Sequence, residues 1–355
     1  SHSSAALSKL IECPVILVQD VTKLTRSAAA FVLGSRMLDE GVNLSGVILN
    51  RVAGSRHESV ARRSIETYCS VPVLGALPKL PEELKIPSRH LGLVTPREEN
   101  ATLELIEALS RVMEDNLDLE RLKNIAGGAP ELDTGRKVEL SSQGSERSRV
   151  CFLSDSAFSF YYPENLEALE AAGAELIPLS ALEACELPPC DAVYIGGGFP
   201  ETHAAALSRN RPFRESLFQA AKSGLPVYAE CGGLIYLAEN LSWKGEDYPM
   251  AGVLPIRTTM EEKPQGHGYA KFLVDASNPF FDEGIELKGH EFHYSRPDAW
   301  TGKSVFEVKR GEGCGQGRDG LLRWNVLGTY LHIHALGCPA WAQGILRAAE
   351  SFRKE

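Results

Sequence analysis

Three groups of residues in this chain have the types and spacing for acyl chemistry at sulfur. Cys231 stands in Val227-Tyr228-Ala229-Glu230-Cys231-Gly232-Gly233-Leu234-Ile235-Tyr236, where a short apolar run ends in a thiol and two glycines follow. Leu234, Tyr236, Leu237 and Ala238 then resume at helical spacing, so the thiol is expected on a strand-to-helix turn. Glycines there accept tight backbone angles, and the free N–H groups and positive end of the following helix favour a thiolate. A small buried cysteine at a strand end fits the same stretch. The second group is Gly196-Gly197-Gly198-Phe199-Pro200-Glu201, directly after the apolar run Ala192 to Ile195. Consecutive glycines at a strand end can turn their N–H groups toward a neighbouring site, as an oxyanion hole or anion nest does; an ordinary glycine-rich turn has the same composition. The third group supplies a base. His332 and His334, in Gly328-Thr329-Tyr330-Leu331-His332-Ile333-His334, follow a strand expected over Val326 to Leu331 and lie on opposite faces if that strand continues, so one of them can face Cys231. His290, His293 and Tyr294, in Gly289-His290-Glu291-Phe292-His293-Tyr294-Ser295, form a cluster too polar for a core strand and are candidates to face a substrate. Its HxxH spacing invites a metal, but no third ligand of matching spacing accompanies it, and no metal centre is expected.

The elements that must carry these residues read as α/β. Pro14 to Asp20, Leu44 to Val52 and Val71 to Pro78 are apolar strand patterns separated by helical ones from Ser27 to Glu40 and from Val60 to Tyr68. A one-faced helix is expected from about Asn100 to Ile125, with Leu103, Ile106, Leu109, Val112 and Met113 inward. A second series then begins, with strands at 149–153, 174–179 and 192–195 and a helix from Asn165 to Ala172. Between the two series lies a stretch rich in Gly, Ser and charge, which places a linker at 126–148 between domains at 1–125 and 149–355. A chain of 355 residues with 43% apolar side chains is ample for two packed cores. The net charge of −10 has no basic block, which disfavours nucleic acid as a partner. No apolar run is long enough to span a bilayer. Eight cysteines without CxxC spacing read as reduced thiols, so a cytoplasmic location is expected.

Taken together, residues 196–201, 229–237, 289–295 and 328–334 resemble the cobyrinic acid a,c-diamide synthase family. So do Asp155-Ser156-Ala157-Phe158, Tyr161-Tyr162-Pro163-Glu164-Asn165-Leu166 and Arg89-His90-Leu91-Gly92-Leu93. The resemblance implies two doubly wound parallel-sheet domains: an incomplete dethiobiotin-synthetase-like P-loop NTPase fold for ATP and tetrapyrrole, then a class I glutamine amidotransferase-like domain. It implies amidation of the a- and c-acetate carboxylates of a corrin precursor, with ATP and Mg2+ activating each carboxylate and glutamine supplying ammonia. By motif, Cys231 would attack the glutamine carboxamide and His332 would exchange protons with the thiol and the leaving amine. N–H groups at Gly197 or Gly198 and at Gly232 would hold the oxyanion. Asn50 resembles the adenine-reading position of the dethiobiotin synthetase fold, although an Asn after a strand is commonly a turn residue. Many class I glutaminases carry a glutamate two residues past the histidine; here that residue is His334, and what orients His332 is left open.

The departures from the family pattern set further expectations. The family opens with a Gly-rich phosphate loop ending in Gly-Lys-Ser/Thr and later carries a Glu-Gly-Val-Met-Gly-Leu-type segment, and residues 1–125 contain neither. The chain therefore reads as a family member without roughly its first hundred residues, retaining the glutaminase half, with no tight binding of ATP or Mg2+ expected. Expected partners are glutamine and a corrinoid tetrapyrrole, with a homodimer left open. Two alternatives stand beside this reading: the relative that amidates nickel-sirohydrochlorin in coenzyme F430 biosynthesis, and a non-catalytic binding protein on the amidotransferase fold. Retention of both Cys231 and His332 argues against the latter.

Overall fold

The computed structural model describes residues 3–86, 88–89, 92–93, 102–132, 147–298, 300 and 302–354. The chain divides into two compact units at residues 137/138. Most of the stretch expected as a linker, and His90 and Leu91 of the Arg89 to Leu93 motif, lie outside the described residues.

In the first unit α1 (Ser4–Leu10) precedes β1 (Val15–Asp20), α2 (Ala28–Leu38), β2 (Leu44–Val52), α3 (Ser55–Cys69) and β3 (Val73–Pro78). The strands pair in parallel in the order β1-β2-β3. Strand periodicity sends Val47 and Leu49 to one face, against Ala28 and Val32 of α2 and Ala61 and Ile65 of α3. Ile48 and Leu74 point to the other, against Val112 and Met113 of α4 (Thr102–Asn116) and Leu122 of α5 (Leu119–Gly127). Helices on both faces of a parallel sheet explain why these strands read as continuous apolar runs. The two-residue strands β4 (Ser88–Arg89) and β5 (Gly92–Leu93) pair with each other. The single helix expected from Asn100 to Ile125 is broken. The Asp118 N–H donates to Leu74 O at 2.8 Å, and its side chain caps α5 by accepting from Arg121 N at 3.0 Å. An Asp that serves the backbone of a neighbouring strand and a new helix start ends one helix and begins another.

The second unit is built on a ten-stranded sheet in the order β19-β14-β13-β16-β17-β18-β9-β8-β6-β7. Its parallel half contains β7 (Ala174–Leu179), β6 (Ser148–Leu153), β8 (Ala192–Ile195), β9 (Val227–Glu230) and β18 (Val326–Thr329). The antiparallel half contains β17 (Arg318–Arg323), β16 (Lys303–Arg310), β13 (Gly266–Val274), β14 (Glu286–His293) and β19 (His332–Ile333). A separate four-stranded sheet joins β10 (Ala238–Trp243), β11 (Glu246–Pro249), β12 (Leu254–Met260) and β15 (Ser295–Pro297). The parallel sheet expected from the sequence is thus continued into a mixed one.

Alternation along the parallel strands buries both faces. Val193, Ile195, Val227 and Ala229 pack with Phe213 and Leu217 of α8 (Arg211–Lys222) and Leu234 of α9 (Gly232–Leu237). Tyr194 and Tyr228 point the other way, toward Ala168 and Leu169 of α6 (Pro163–Ala172) and Trp341 and Ile345 of α10 (Ala340–Lys354). Pro163 opens α6, and Gly173 in the left-handed region (φ 111°) closes it. Helix α7 (Ala204–Arg209) precedes α8, whose Asn210 cap accepts from Phe213 N. The helix after Cys231 is shorter than its spacing implies: Ala238 already starts β10, and the apolar residues read as a helical face are continued by a strand.

Helix α10 lies close against the loop at Phe280, where a Cβ placed on Gly344 would come 1.8 Å from Phe280 O. Ala gains up to about 1 kcal/mol over Gly in helix propensity, whereas overpacking against fixed backbone costs about 1–3 kcal/mol. Gly344→Ala is therefore expected to lower the urea midpoint of unfolding, and an unchanged or higher midpoint would show that α10 can shift outward without loss.

Candidate active site

Strand β9 ends at Glu230 and the chain turns at Cys231 with φ 47° and ψ −95°, a backbone state costly for a residue with a Cβ. Its surroundings fix it there. Cys231 N donates to Thr329 O of β18 at 2.7 Å, and Cys231 O accepts from Ile235 N in α9 at 3.0 Å. The thiol is buried, 5% exposed, with Sγ 4.0 Å from Phe292 O. The glycine loop 196–198 is packed directly on this turn. A Cβ on Gly232 would lie 2.9 Å from Gly198 N, and one on Gly198 would lie 2.1 Å from Ala157 O. Tyr161, which sequence reasoning did not single out beyond its motif, holds the loop: its hydroxyl accepts from Gly196 N at 2.8 Å and donates to Leu153 O. The elbow and the loop are neighbours because β8 and β9 are adjacent and parallel.

The expected strand from Val326 to Leu331 stops early. Strand β18 ends at Thr329, and the chain crosses to pair His332 and Ile333, as β19, with β14. The buried side chain of Asn165 brackets this crossing, donating to Ile333 O and accepting from Ala335 N, each at 2.7 Å. His332 is thereby set above the elbow, 7% exposed, with the Cys231 thiol bearing on its imidazole. A Cβ on Gly197 would meet its Cε1 at 2.6 Å, and its Nδ1 is 3.5 Å from Glu230 Oε2. Burial disfavours the charged imidazole, but the bonds to Cys231 and Glu230 outweigh it and carry His332 up to about 10. His334 goes elsewhere: its Nε2 is 3.6 Å from Glu164 Oε2, its ring lies 4.6 Å from that of Tyr162, and its Nδ1 accepts from Leu336 N. Of the two histidines, His332 is the one brought to Cys231.

The 289–295 motif is part of a strand after all, which corrects the expectation drawn from its polarity. Its carboxylate and one imidazole are buried because partners wait for them. Glu291 accepts N–H bonds from Glu312 and Gly313. His293 donates from Nδ1 to Ser295 O at 2.8 Å, and stacks on Tyr330 with ring centres 3.7 Å apart. His290 pairs with His332 across β14 and β19 and stacks on it at 4.9 Å. Burial first, then the neighbouring His332, holds His290 down to about 4. Burial likewise holds His293 down to about 4, against its bond to Ser295. Both are neutral near pH 7. Tyr294 is half-buried at the end of the motif, its carbonyl accepting from Glu261 N at 2.9 Å.

Asn50 lies in the first unit at the end of β2, its Oδ1 accepting from Arg51 N at 2.9 Å, beside the Asp20–Arg51 ion pair. These residues do not make a cradle for a triphosphate and Mg2+, which needs a run of N–H groups, a lysine and a hydroxyl on one strand-to-helix turn. The sequence Gly302-Lys303-Ser304 leads into the antiparallel strand β16 and opens no helix. Among the described residues, no group of three or more His, Cys, Asp or Glu is placed to hold a metal ion, and no helix is long and apolar enough to cross a membrane.

Comparison with known proteins places this geometry in a family. Residues 149–339 match the CobB/CobQ-like glutamine amidotransferase domain, and residues 1–84 match an AAA domain. The cobyrinate a,c-diamide synthase of Magnetococcus marinus is 42% identical over 355 residues, covering 98% of this chain and 76% of that protein. That of Archaeoglobus fulgidus is 40% identical over 349 residues, covering 98% of this chain and 75% of its own length. That of Methanothermobacter thermautotrophicus is 40% identical over 352 residues, covering 99% and 77%. The chain belongs to the cobyrinate a,c-diamide synthase family.

Proposed function

We propose that this chain hydrolyses glutamine at Cys231 to supply ammonia for ATP-dependent amidation of the a- and c-acetate carboxylates of cobyrinic acid. The observation that carries the reading is the single juxtaposition of a thiol on a strained strand-to-helix turn, an imidazole set beside it and the glycine loop against both. In this reading the sulfur attacks the side-chain amide carbon of glutamine with its proton resting on His332. The carbonyl oxygen becomes an oxyanion facing the N–H groups of Gly198, or Gly197, and Gly232. Collapse breaks the C–N bond as His332 returns the proton to nitrogen; ammonia leaves, and a glutamyl thioester remains. Water, losing a proton to His332, releases glutamate and restores the thiol. His290, His293 and Tyr294 are proposed to line the side of the site that faces the amide acceptor, and Asn50 to contact the adenine. Residues 149–355 are proposed to carry the glutaminase and residues 1–125 the ATP and tetrapyrrole functions. With no phosphate loop in residues 1–125, ammonia without diamide is expected from this chain when it is given glutamine, Mg-ATP and cobyrinic acid; diamide detected by mass at about one per second would mean that ATP is held elsewhere.

Two substitutions test the glutaminase. Cys231→Ser should abolish ammonia release while leaving the melting temperature close to that of the parent, because a hydroxyl is far less ionised than a thiol. A glutamine-analogue alkylator should label Cys231 ahead of the other seven cysteines, and equal labelling of several would count against the reading. His332→Ala should lower turnover by about two to four orders of magnitude and His334→Ala by less, since His334 faces Glu164; the reverse ranking would move the base to His334.

A further inference from the structure

We propose that Glu230, the residue immediately before the nucleophile, is the positioning residue of His332: its carboxylate faces Nδ1 and so turns the opposite edge of the ring toward the sulfur and the glycine loop. The inference deepens the glutaminase reading and rests on it. Three observations carry it. Thr329 and Glu230 are direct partners in the β9–β18 pairing, so a carboxylate at 230 is next to the strand from which the chain crosses to His332. The Glu230 Oε2 to His332 Nδ1 separation is 3.5 Å, an ion pair rather than a short hydrogen bond, and contacts of this kind in resting enzymes tighten when substrate binds. Glu230 is 2% exposed, and Oε1 is buried without a hydrogen-bond partner. A carboxylate so poorly satisfied is a costly way to fill a core position, which favours an electrostatic task over a packing one. His334, the other histidine of its motif, faces Glu164 and Tyr162 instead. Asp319 is buried nearby but is bonded to Thr329 and to Tyr330 N.

The groups that bear on this pair come from several elements, among them Tyr162 at the start of α6, whose hydroxyl is pushed up by burial and the Glu230 charge. From β9 come Glu230 and Cys231, and from β14 come His290 and His293, both held neutral. From the sheet face beneath come Tyr194, which donates to Glu230 Oε2 at 3.4 Å, and Tyr161 and Tyr228. Burial, with the negative charge of Glu230 adding to it, pushes these hydroxyls up, so they stay neutral. His332 is thus the cationic partner of a carboxylate set among neutral rings, and an anion on Nδ1 favours the imidazolium.

The test is Glu230→Gln, which keeps the shape and an oxygen for Tyr194 but removes the charge. Its kcat for glutamine hydrolysis should fall by about 10- to 1000-fold with KM changed by less than about threefold, since the ring is misplaced and the glutamine site is not. In resting enzyme labelled with 15N-histidine, the His332 titration should move to lower pH by about one to three units. Glu230→Asp, with the charge kept and set back by one methylene, should recover part of both. Unchanged kcat and unchanged His332 titration in Glu230→Gln, with His332→Ala inactive, would overturn the assignment while leaving the base in place. A fall in kcat with an unmoved titration and a lowered melting temperature would overturn it in favour of a packing role. Full turnover in His332→Ala would instead remove the base reading itself, and this assignment with it.

Discussion

No side-chain carbon fits between the nucleophile turn and the glycine loop, and the geometry of the site follows from that exclusion. A Cβ on Gly232 would meet Gly198 N, one on Gly197 would meet the His332 ring, and one on Gly233 would come 2.4 Å from Ile195 O. Backbone can therefore approach backbone where the site needs N–H groups aimed at one point. Cys231 has no such freedom and is held in the left-handed region by bonds at both its N–H and its carbonyl. Parallel pairing of β8, β9 and β18 sets these pieces side by side at one sheet edge, where open α/β sheets bind ligands.

Behind this edge the protein keeps several carboxylates out of water, each in a different balance. Glu291 is well supplied, with N–H donors from Glu312 and Gly313. Asp319 accepts from Thr329, Gly320 and Tyr330, yet burial still raises its carboxyl to about 6. Glu230 has the thinnest supply and the nearest cation. The first two tie loops and strands of the antiparallel half to the base of the site, a structural use of buried carboxylates. The third stands next to His332. The differing degree of satisfaction separates the groups that hold the site together from the group proposed to position His332.

Much of this was legible from spacing. The apolar strands, the thiol before paired glycines and the triple glycine one strand earlier are local signals, and each element they imply is present. Less visible were features that depend on partners distant in the chain. A strand patterned Val-Tyr-Ala-Glu places its carboxylate on the Tyr228 face, and an acid in a strand buried on both faces was the available sign of Glu230. Asn165 reads as a helix-start residue, yet it brackets a crossing more than a hundred positions later. The polar 289–295 stretch reads as unfit for a core strand because its partners, Tyr330 and the 312–313 loop, cannot be inferred from its own composition. Helix lengths failed where a side chain served another element, as Asp118 does.

The β14–β19 pairing also has a consequence for how the chain acquires its chemistry. Cys231 follows β9 whereas His332 lies in β19, which pairs with β14, and the whole of the separate four-stranded sheet together with β13, β14, β16, β17 and β18 lies between them in the chain. Closing a loop of about a hundred residues carries an entropic cost met before any contact across it is gained, and such non-local pairings form slowly. A nascent or partly folded chain therefore displays Cys231 with its glycine loop, both from the earlier strands, but without its histidine. In the proposed reading, amide cleavage therefore waits until β19, far along the chain, is laid against β14.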